Sequence, residues 1–451
     1  MKIHAPLFAA CLAASLLADA SPAQSPAAPR TWSRTYGGAV SEQGLHDIAQ
    51  LPGGRLVVAG YSASFGGPTQ ANWFLNLQLG NGDVQLEGAS TSSFGGFTDG
   101  ACIAADGGAL FLGRDVLDIF HEHDAWAMRL DADGDVAWTL GFWRPGAGRH
   151  FLFDAAELDD RSWVAAGATG ILDQPPQAGW IVRIAADGSL LWQFEYGGGS
   201  VEAAHAVTTT ADGGFVVAGA SSSSGAGSDD VWVMKVDGAG AIVWQRTFGG
   251  GDADAAEDIV ELADGGFAVV GSTNSLTPSG HAPWILRLDA GGNPLWHRVV
   301  ASDVWGDLGA VAQTGDGHLV VVGRVAEVGF ASNDLWCAKL DATLGRVLWQ
   351  RAYEGHTGDF GSAVLPLADA GFIVGGTWGW GFEGESIWLQ STDRVGNLPD
   401  CDLDRTTTFA LTRPPITVQD GSAVKAPGGA LTQLVPVQTA ASDAEVIERC
   451  H

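Results

Sequence analysis

The sequence predicts an all-β fold, a seven-bladed β-propeller of four-stranded blades, because three markers run through it on one beat. A tryptophan series falls at Trp73, Trp126, Trp180, Trp232, Trp284, Trp336 and Trp388, with steps of 52 to 54 residues. A second series falls at Trp32, Trp138, Trp192, Trp244, Trp296 and Trp349, with Leu86 where one further member is due. Glycines keep the same step at Gly60, Gly113, Gly167, Gly219, Gly271, Gly323 and Gly376. Self-similarity at a fixed step of this length marks units that bury their faces against one another.

The fourth copy shows what a unit contains. A strand-like stretch from Ala206 to Thr210 meets the turn Asp212-Gly213-Gly214, and Phe215 to Gly219 leads away from it. A Ser/Gly loop follows, then Val231 to Asp237, a turn through Gly240, and Ala241 to Arg246. Runs of β-branched and aromatic residues between Asp-Gly turns read as strands. Four short strands cannot bury both faces of their sheet alone, so the copies must stack face to face, and such a stack closes into a ring. A solenoid would need polar capping repeats at both ends, and the sequence offers none.

Strand phase predicts how the ring closes. An outermost strand, Thr31 to Tyr36, precedes the first copy, while the seventh copy lacks one after Val395-Gly396. The N-terminal strand is therefore expected to complete the last blade and remove the exposed edges of an open ring. The propeller should span residues 31–397. Residues 398–451 form a tail with strand-like pieces, Thr408 to Leu411 and Pro415 to Gln419, that would pack on the ring as an appendage.

Composition narrows the function. The chain has 451 residues, with 23 Lys+Arg against 52 Asp+Glu and a formal charge of −29. Phosphate backbones need clustered cations, so no nucleic-acid partner is expected. Hydrophobic residues at 46% argue against disorder. The N-terminus (Met1, Lys2, an apolar run from Pro6 to Ala18, then small residues) reads as a signal peptide over residues 1–20, cleaved after Ala20 or, alternatively, after Ala23. Export to the periplasm or the cell exterior follows, with no membrane span, because no later apolar run is long enough. In an oxidising compartment Cys401 and Cys450, which bracket the tail, are expected to pair, stabilising by about 4 kcal/mol under the chain-entropy account. Cys102 and Cys337 lie in apolar strand patterns and read as buried thiols.

The segments Asp212 to Gly219, Trp232 to Asp237 and Trp244 to Gly250 resemble the bacterial seven-bladed β-propeller repeat family of SBBP type, over most of the chain. The resemblance implies a fold and an exported bacterial protein, not an activity. Some copies depart from it: Pro52 stands where the turn Asp is expected, Asp160-Arg161-Ser162 replaces the Asp-Gly-Gly turn, and Asp369-Ala370-Gly371 varies it. Leu130 to Trp138 and Leu340 to Trp349 are similar to the outer-strand repeat of quinoprotein propellers. Those typically have eight blades, and the adjacent cysteine pair common in their quinone-binding dehydrogenases does not occur here.

Function is expected on one face. The two tight turns of each blade share one side of the ring, so the variable interblade connections and the long intrablade loops share the other, where binding residues concentrate. Of 18 tryptophans, the two series and Trp163 leave Trp143, Trp305, Trp378 and Trp380 over. Together with Asp99, Glu257 and Asp258 they form the candidate ligand-binding set, since rings beside carboxylates stack sugar rings or peptide side chains. The bland alternative is that these rings pack their own loops. Acidic interblade residues should make the channel mouth negative, attracting calcium or a basic partner. No cofactor and no protein metal-ligand set is otherwise expected. His121-Glu122-His123-Asp124 lacks a third ligand at any obvious spacing. Asp131-Ala132-Asp133-Gly134-Asp135 lacks the bidentate Glu of a calcium loop and coincides with a blade turn. Asp124, Asp230 and Asp334 each precede a series tryptophan by two residues and are expected to cap loops. No nucleophile elbow or phosphate loop is present, so no catalytic residue is nominated. The chain reads as a monomeric, non-catalytic binding scaffold for a protein or glycan. The alternatives are a glycan hydrolase or lyase working at the channel mouth and a purely structural surface protein.

Overall fold

A computed structural model describes residues 31–37, 43–51, 54–62, 71–91, 96–115, 125–143, 149–171, 174–278, 280–300, 304–327, 333–353, 358–368, 371–379, 386–398, 404–406, 411–420, 424–427, 431–434, 438–440 and 445–448. The signal segment, Cys401, Cys450, Trp380 and the His121–Asp124 stretch lie outside them. Every described element is a strand. Seven antiparallel four-stranded blades form a ring, and no helix long and apolar enough to cross a membrane occurs among the described residues. The innermost strands, in blade order, are Gln43–Leu51, Gly96–Ile103, Arg149–Glu157, Glu202–Thr209, Asp254–Glu261, Val304–Gln313 and Phe360–Pro366. Each packs against the innermost strand of the next blade, and the last packs against the first.

The N-terminal strand Trp32–Gly37 pairs with Ser386–Thr392 of blade seven, closing the ring as expected. Trp388 Nε1 donates to Ser33 Oγ across this seam at 2.7 Å. Trp32, Tyr36, Leu45, Trp73, Ile373 and Leu389 share one core between blades seven and one.

Both tryptophan series have a physical reason. Rings of the first series are all nearly inaccessible, at most 2% exposed, and fill the spaces between sheets. Members of the second reach sideways instead. The indole N–H of Trp32, Trp138, Trp192, Trp244 and Trp296 donates to a carbonyl in the outer turn of the following blade: Leu79, Ala186, Gly238, Ala290 and Ala342 respectively, at 2.8 to 3.3 Å. The turn aspartates are equally regular. Asp106, Asp160, Asp212, Asp264 and Asp316 pair with Arg129, Arg183, Lys235, Arg287 and Lys339 at 2.5 to 2.7 Å. Where Asp160-Arg161-Ser162 replaces the usual turn, Arg161 takes the left-handed conformation that Gly213 supplies in blade four, with φ of 66° against 83°.

The tail does more than append. Its strands add a fifth member to every blade, running backwards around the ring. Asp404–Thr406 joins blade six, Leu411–Thr412 blade five, Thr417–Asp420 blade four, Val424–Pro427 blade three, Leu431–Leu434 blade two and Gln438–Ala440 blade one. Glu445–Glu448 then covers the N-terminal strand, which lies between it and Ser386–Thr392. Each tail strand satisfies N–H and C=O groups that an outermost edge would leave open.

Candidate functional site

Every innermost strand carries a bulge at the same place. Register shifts skip His46, Asp99, Phe153, His205, Glu257, Gly309 and Ser362, one per blade. Opposite each bulge stands the periodic glycine of the second strand, and a methyl group on Gly219 or Gly323 would collide with the carbonyl of Ala203 or Asp307. The glycine beat thus records close backbone approach at a bulge, which re-aims the extra residue. These residues and their neighbours line a central channel of about 320 Å³, to which all seven innermost strands contribute.

Below the bulges, three alternate blades place an aspartate. Asp47 Oδ2 accepts Ile103 N–H, Asp154 Oδ2 accepts Val207 N–H and Asp258 Oδ2 accepts Val311 N–H, each from the following blade at 2.7 to 2.8 Å. Their other oxygens accept Ile48, Ala155 and Ile259 N–H. These two-handed bonds favour the anion, but burial outweighs them and pushes the carboxyls up to about 7, 8 and 6. Asp258, a candidate ligand residue, is therefore engaged on both oxygens as a tie between blades five and six.

At the loop-face mouth a wider cavity of about 670 Å³ is lined by Tyr61, Asp99, Glu257, His281, Asp307, Arg324 and Phe360, among others. Arg324 donates twice to Asp307 Oδ2, at 3.0 and 2.7 Å, and its guanidinium lies over the rings of Trp305 and Phe360 at 4.9 and 5.3 Å. His281 Nε2 lies 3.4 Å from the same oxygen and its ring 5.1 Å from Trp305. Trp305 itself is 38% exposed. Blade two carries a counterpart: Asp99 meets Arg114 at 3.4 Å, and Arg114 lies over Phe97 and Phe151. Burial pushes Asp99 up to about 7 against the pull of Arg114. Glu257 is raised by its enclosure, with His205 Nδ1 3.9 Å away opposing the rise. His205 also bonds the Ala256 carbonyl at 2.9 Å, and His46 is driven down to about 4 by burial.

The structure thus brings Asp99 and Glu257 to one cavity and sets Trp305 beside it, against the lining residues Arg324 and His281. Trp378 sits elsewhere, half-buried and edge-on to Trp388 with ring centres 4.6 Å apart. Trp143 ends the outermost strand of blade two, paired through its backbone with Leu431. Sequence reasoning missed Arg114, Arg324, His205 and His281. A signal existed for the arginines: the residue after the periodic glycine is Tyr61, Ala168, Ala220, Ser272 or Thr377 in the other blades, and arginine only after Gly113 and Gly323. No group of three or more ligating His, Cys, Asp or Glu side chains converges among the described residues. Cys337 is buried and Cys102 half-buried, and burial pushes both thiols up.

Fold and mouth together define a seven-bladed β-propeller with an open, aromatic and carboxylate-lined channel entrance. No protein-family model and no curated protein matches the sequence. Among solved structures the chain is similar to a protein of unknown function from Dyadobacter fermentans, with 10% identity, a TM-score of 0.46, and 80% of this chain and 97% of that one covered. It is also similar to a quinohemoprotein alcohol dehydrogenase of Pseudomonas putida, with 11% identity, a TM-score of 0.45 and coverage of 82% and 76%. A puromycin hydrolase shows 16% identity and a TM-score of 0.46, covering 82% of this chain and 54% of that one. Such distant likenesses carry no argument about activity.

Proposed function

We propose that the protein is an exported, non-catalytic binding scaffold of the bacterial seven-bladed repeat type, which takes a glycan or a peptide segment at the loop-face mouth of its channel. The observation that carries this reading is the Trp305 platform. An indole left partly open is held in place by Arg324 and His281. A ring fixed before the ligand arrives loses little freedom on binding, and exposed indoles anchor sugars and peptides alike. Asp99, pushed up to about 7, stands ready both to donate and to accept hydrogen bonds near neutrality.

The test is retention of the full chain on an array of glycans and peptides, compared with Trp305→Ala. A loss of about tenfold or more in the variant, at unchanged thermal stability, is expected. Equal retention by both proteins sinks the reading. One observation favours the second reading, a glycan hydrolase or lyase. The Glu257 carboxyl, raised by enclosure, shares the cavity with Asp307, and paired carboxyls in unlike surroundings can divide acid and base roles. Product analysis of any retained glycan decides between them, because only the enzyme leaves newly formed chain ends.

A further inference from the structure

At the junction of blades four and five, two carboxylates are buried side by side. Asp230 opens the strand Asp230–Val236 and Asp254 opens the strand Asp254–Glu261, and each is 1% exposed. Asp254 N–H donates to the Asp229 carbonyl at 2.7 Å, which locks the two strand starts together. Asp230 Oδ2 accepts Ala226 N–H at 2.8 Å, the loop-fixing role expected of it, and Asp254 Oδ2 accepts Gly250 N–H at 2.9 Å. Asp230 Oδ1 is different. It is buried and has no hydrogen-bond partner among the described residues.

That oxygen and one of its neighbour's flank the same glycine. A Cβ built on Gly249 would collide with Asp230 Oδ1 and stand 2.6 Å from Asp254 Oδ2, so both oxygens converge over one glycine. The carbonyl of Gly250 comes within 2.8 Å of where a Cβ on Gly227 would lie, and that of Gly251 is closer still. No cationic side chain pairs with either carboxylate among the described residues. Two adjacent buried anions without a counter-charge are costly, and a fold that keeps them must supply a proton or a cation. Burial, with Asp254 adding to it, pushes Asp230 up to about 6 against the pull of the Ala226 and Gly227 backbone N–H groups.

We propose that Asp230 and Asp254 form a calcium site between blades four and five, its shell completed by carbonyl oxygens of the surrounding glycine loops and by water. The donors are oxygens alone, held at two strand starts and in the glycine loops beside them, which suits a large cation of variable coordination rather than zinc or octahedral magnesium. The same two positions hold acids again between blades six and seven. There Asp359, fully buried, donates its N–H to the Asn333 carbonyl at 3.1 Å, and Asp334 opens the strand Asp334–Leu340. Between blades five and six the equivalent residues are Ala282 and Gly306, so the pairing is not a requirement of the repeat.

The experiment is calorimetric titration of the full chain, stripped with a chelator, using calcium chloride and then magnesium chloride. Calcium is expected to bind with a dissociation constant of about 0.1 to 1 mM, the range of weak extracellular modules, and magnesium more weakly. Asp230→Asn should remove one bound calcium from the stoichiometry. Absence of calcium binding, or an unchanged stoichiometry in the folded variant, overturns the proposal and leaves a shared proton as the answer. Should Asp230→Asn fail to fold, an anomalous-difference map of the wild-type protein crystallised with terbium decides. A peak between Asp230 and Asp254 is expected, and a map empty there overturns the site.

Discussion

The outer and inner halves of each blade obey different rules. Outside, one solution is repeated: an indole bonded to the next blade's turn, a turn aspartate paired with a strand cation, and a buried tryptophan between sheets. Inside, one backbone device, the bulge opposite a glycine, is repeated while its side chain changes at every step, from His46 through Asp99 and Phe153 to Ser362. Charges diverge accordingly. The hydrogen bond from Lys235 draws Asp212 on the turn face down to about 2, whereas burial lifts Asp154 in the channel to about 8. The difference teaches that the repeat secures the ring from its rim and through the aspartate ties of the channel, which leaves the bulged positions free to vary.

Breaking the rim should cost most. Trp32→Ala removes a buried ring at the closing seam together with its bond to Leu79, and a loss of about 3 to 5 kcal/mol in chemical denaturation is expected. Gly219→Ala tests the bulge directly: its methyl collides with the Ala203 carbonyl, so about 1 to 3 kcal/mol should be lost although the substitution is small and apolar. A result within a few tenths of a kcal/mol would show that the bulge relaxes freely.

The pH profile sharpens the contrast between the halves. Asp47, Asp154 and Asp258 have folded-state values above the usual carboxylate range, so the folded chain holds protons that the unfolded chain has released. Their contribution is present at acid pH and is lost as pH rises through about 6 to 8. Asp212 and Asp316 have depressed values, and their contribution is present above the usual range and lost as pH falls towards about 2. Being exposed, they weigh less. Melting temperature, measured with chelator present, should therefore fall from about pH 5 to pH 8, and Asp154→Asn should flatten that decline. A profile that climbs over the same range contradicts the assignment. The smallest stability effect belongs to Trp305→Ala, which lies outside the core and should change stability by no more than about 0.5 kcal/mol.

The ring, its blade count and its closure by the N-terminal strand were legible because packing between like sheets demands like residues at a fixed step. The tail belt was not, although Leu411–Thr412 and Thr417–Asp420 overlap or adjoin the strand-like pieces read from sequence. Strands of two to four residues are too short to show alternation, and each pairs with a partner far away in the chain. Trp305 could be named as a tryptophan outside both series, and Asp99 and Glu257 as acids of the interblade connections, but Asp258 could not be told from a ligand residue. Its role as a tie depends on Val311 N–H, in the next blade. His205 and His281 stayed invisible for a related reason, since their partners Ala256 and Asp307 come close only once neighbouring blades have stacked.

The central claim is that the channel mouth, not the rim, receives the ligand. Hydrogen exchange of the full chain, with and without whichever array compound it retains, tests this most directly. The account predicts new protection in Val304–Gln313, Leu319–Glu327 and the start of Asp254–Glu261. Protection confined to the outermost strands or to the Asp-Gly turns on the opposite face would contradict it.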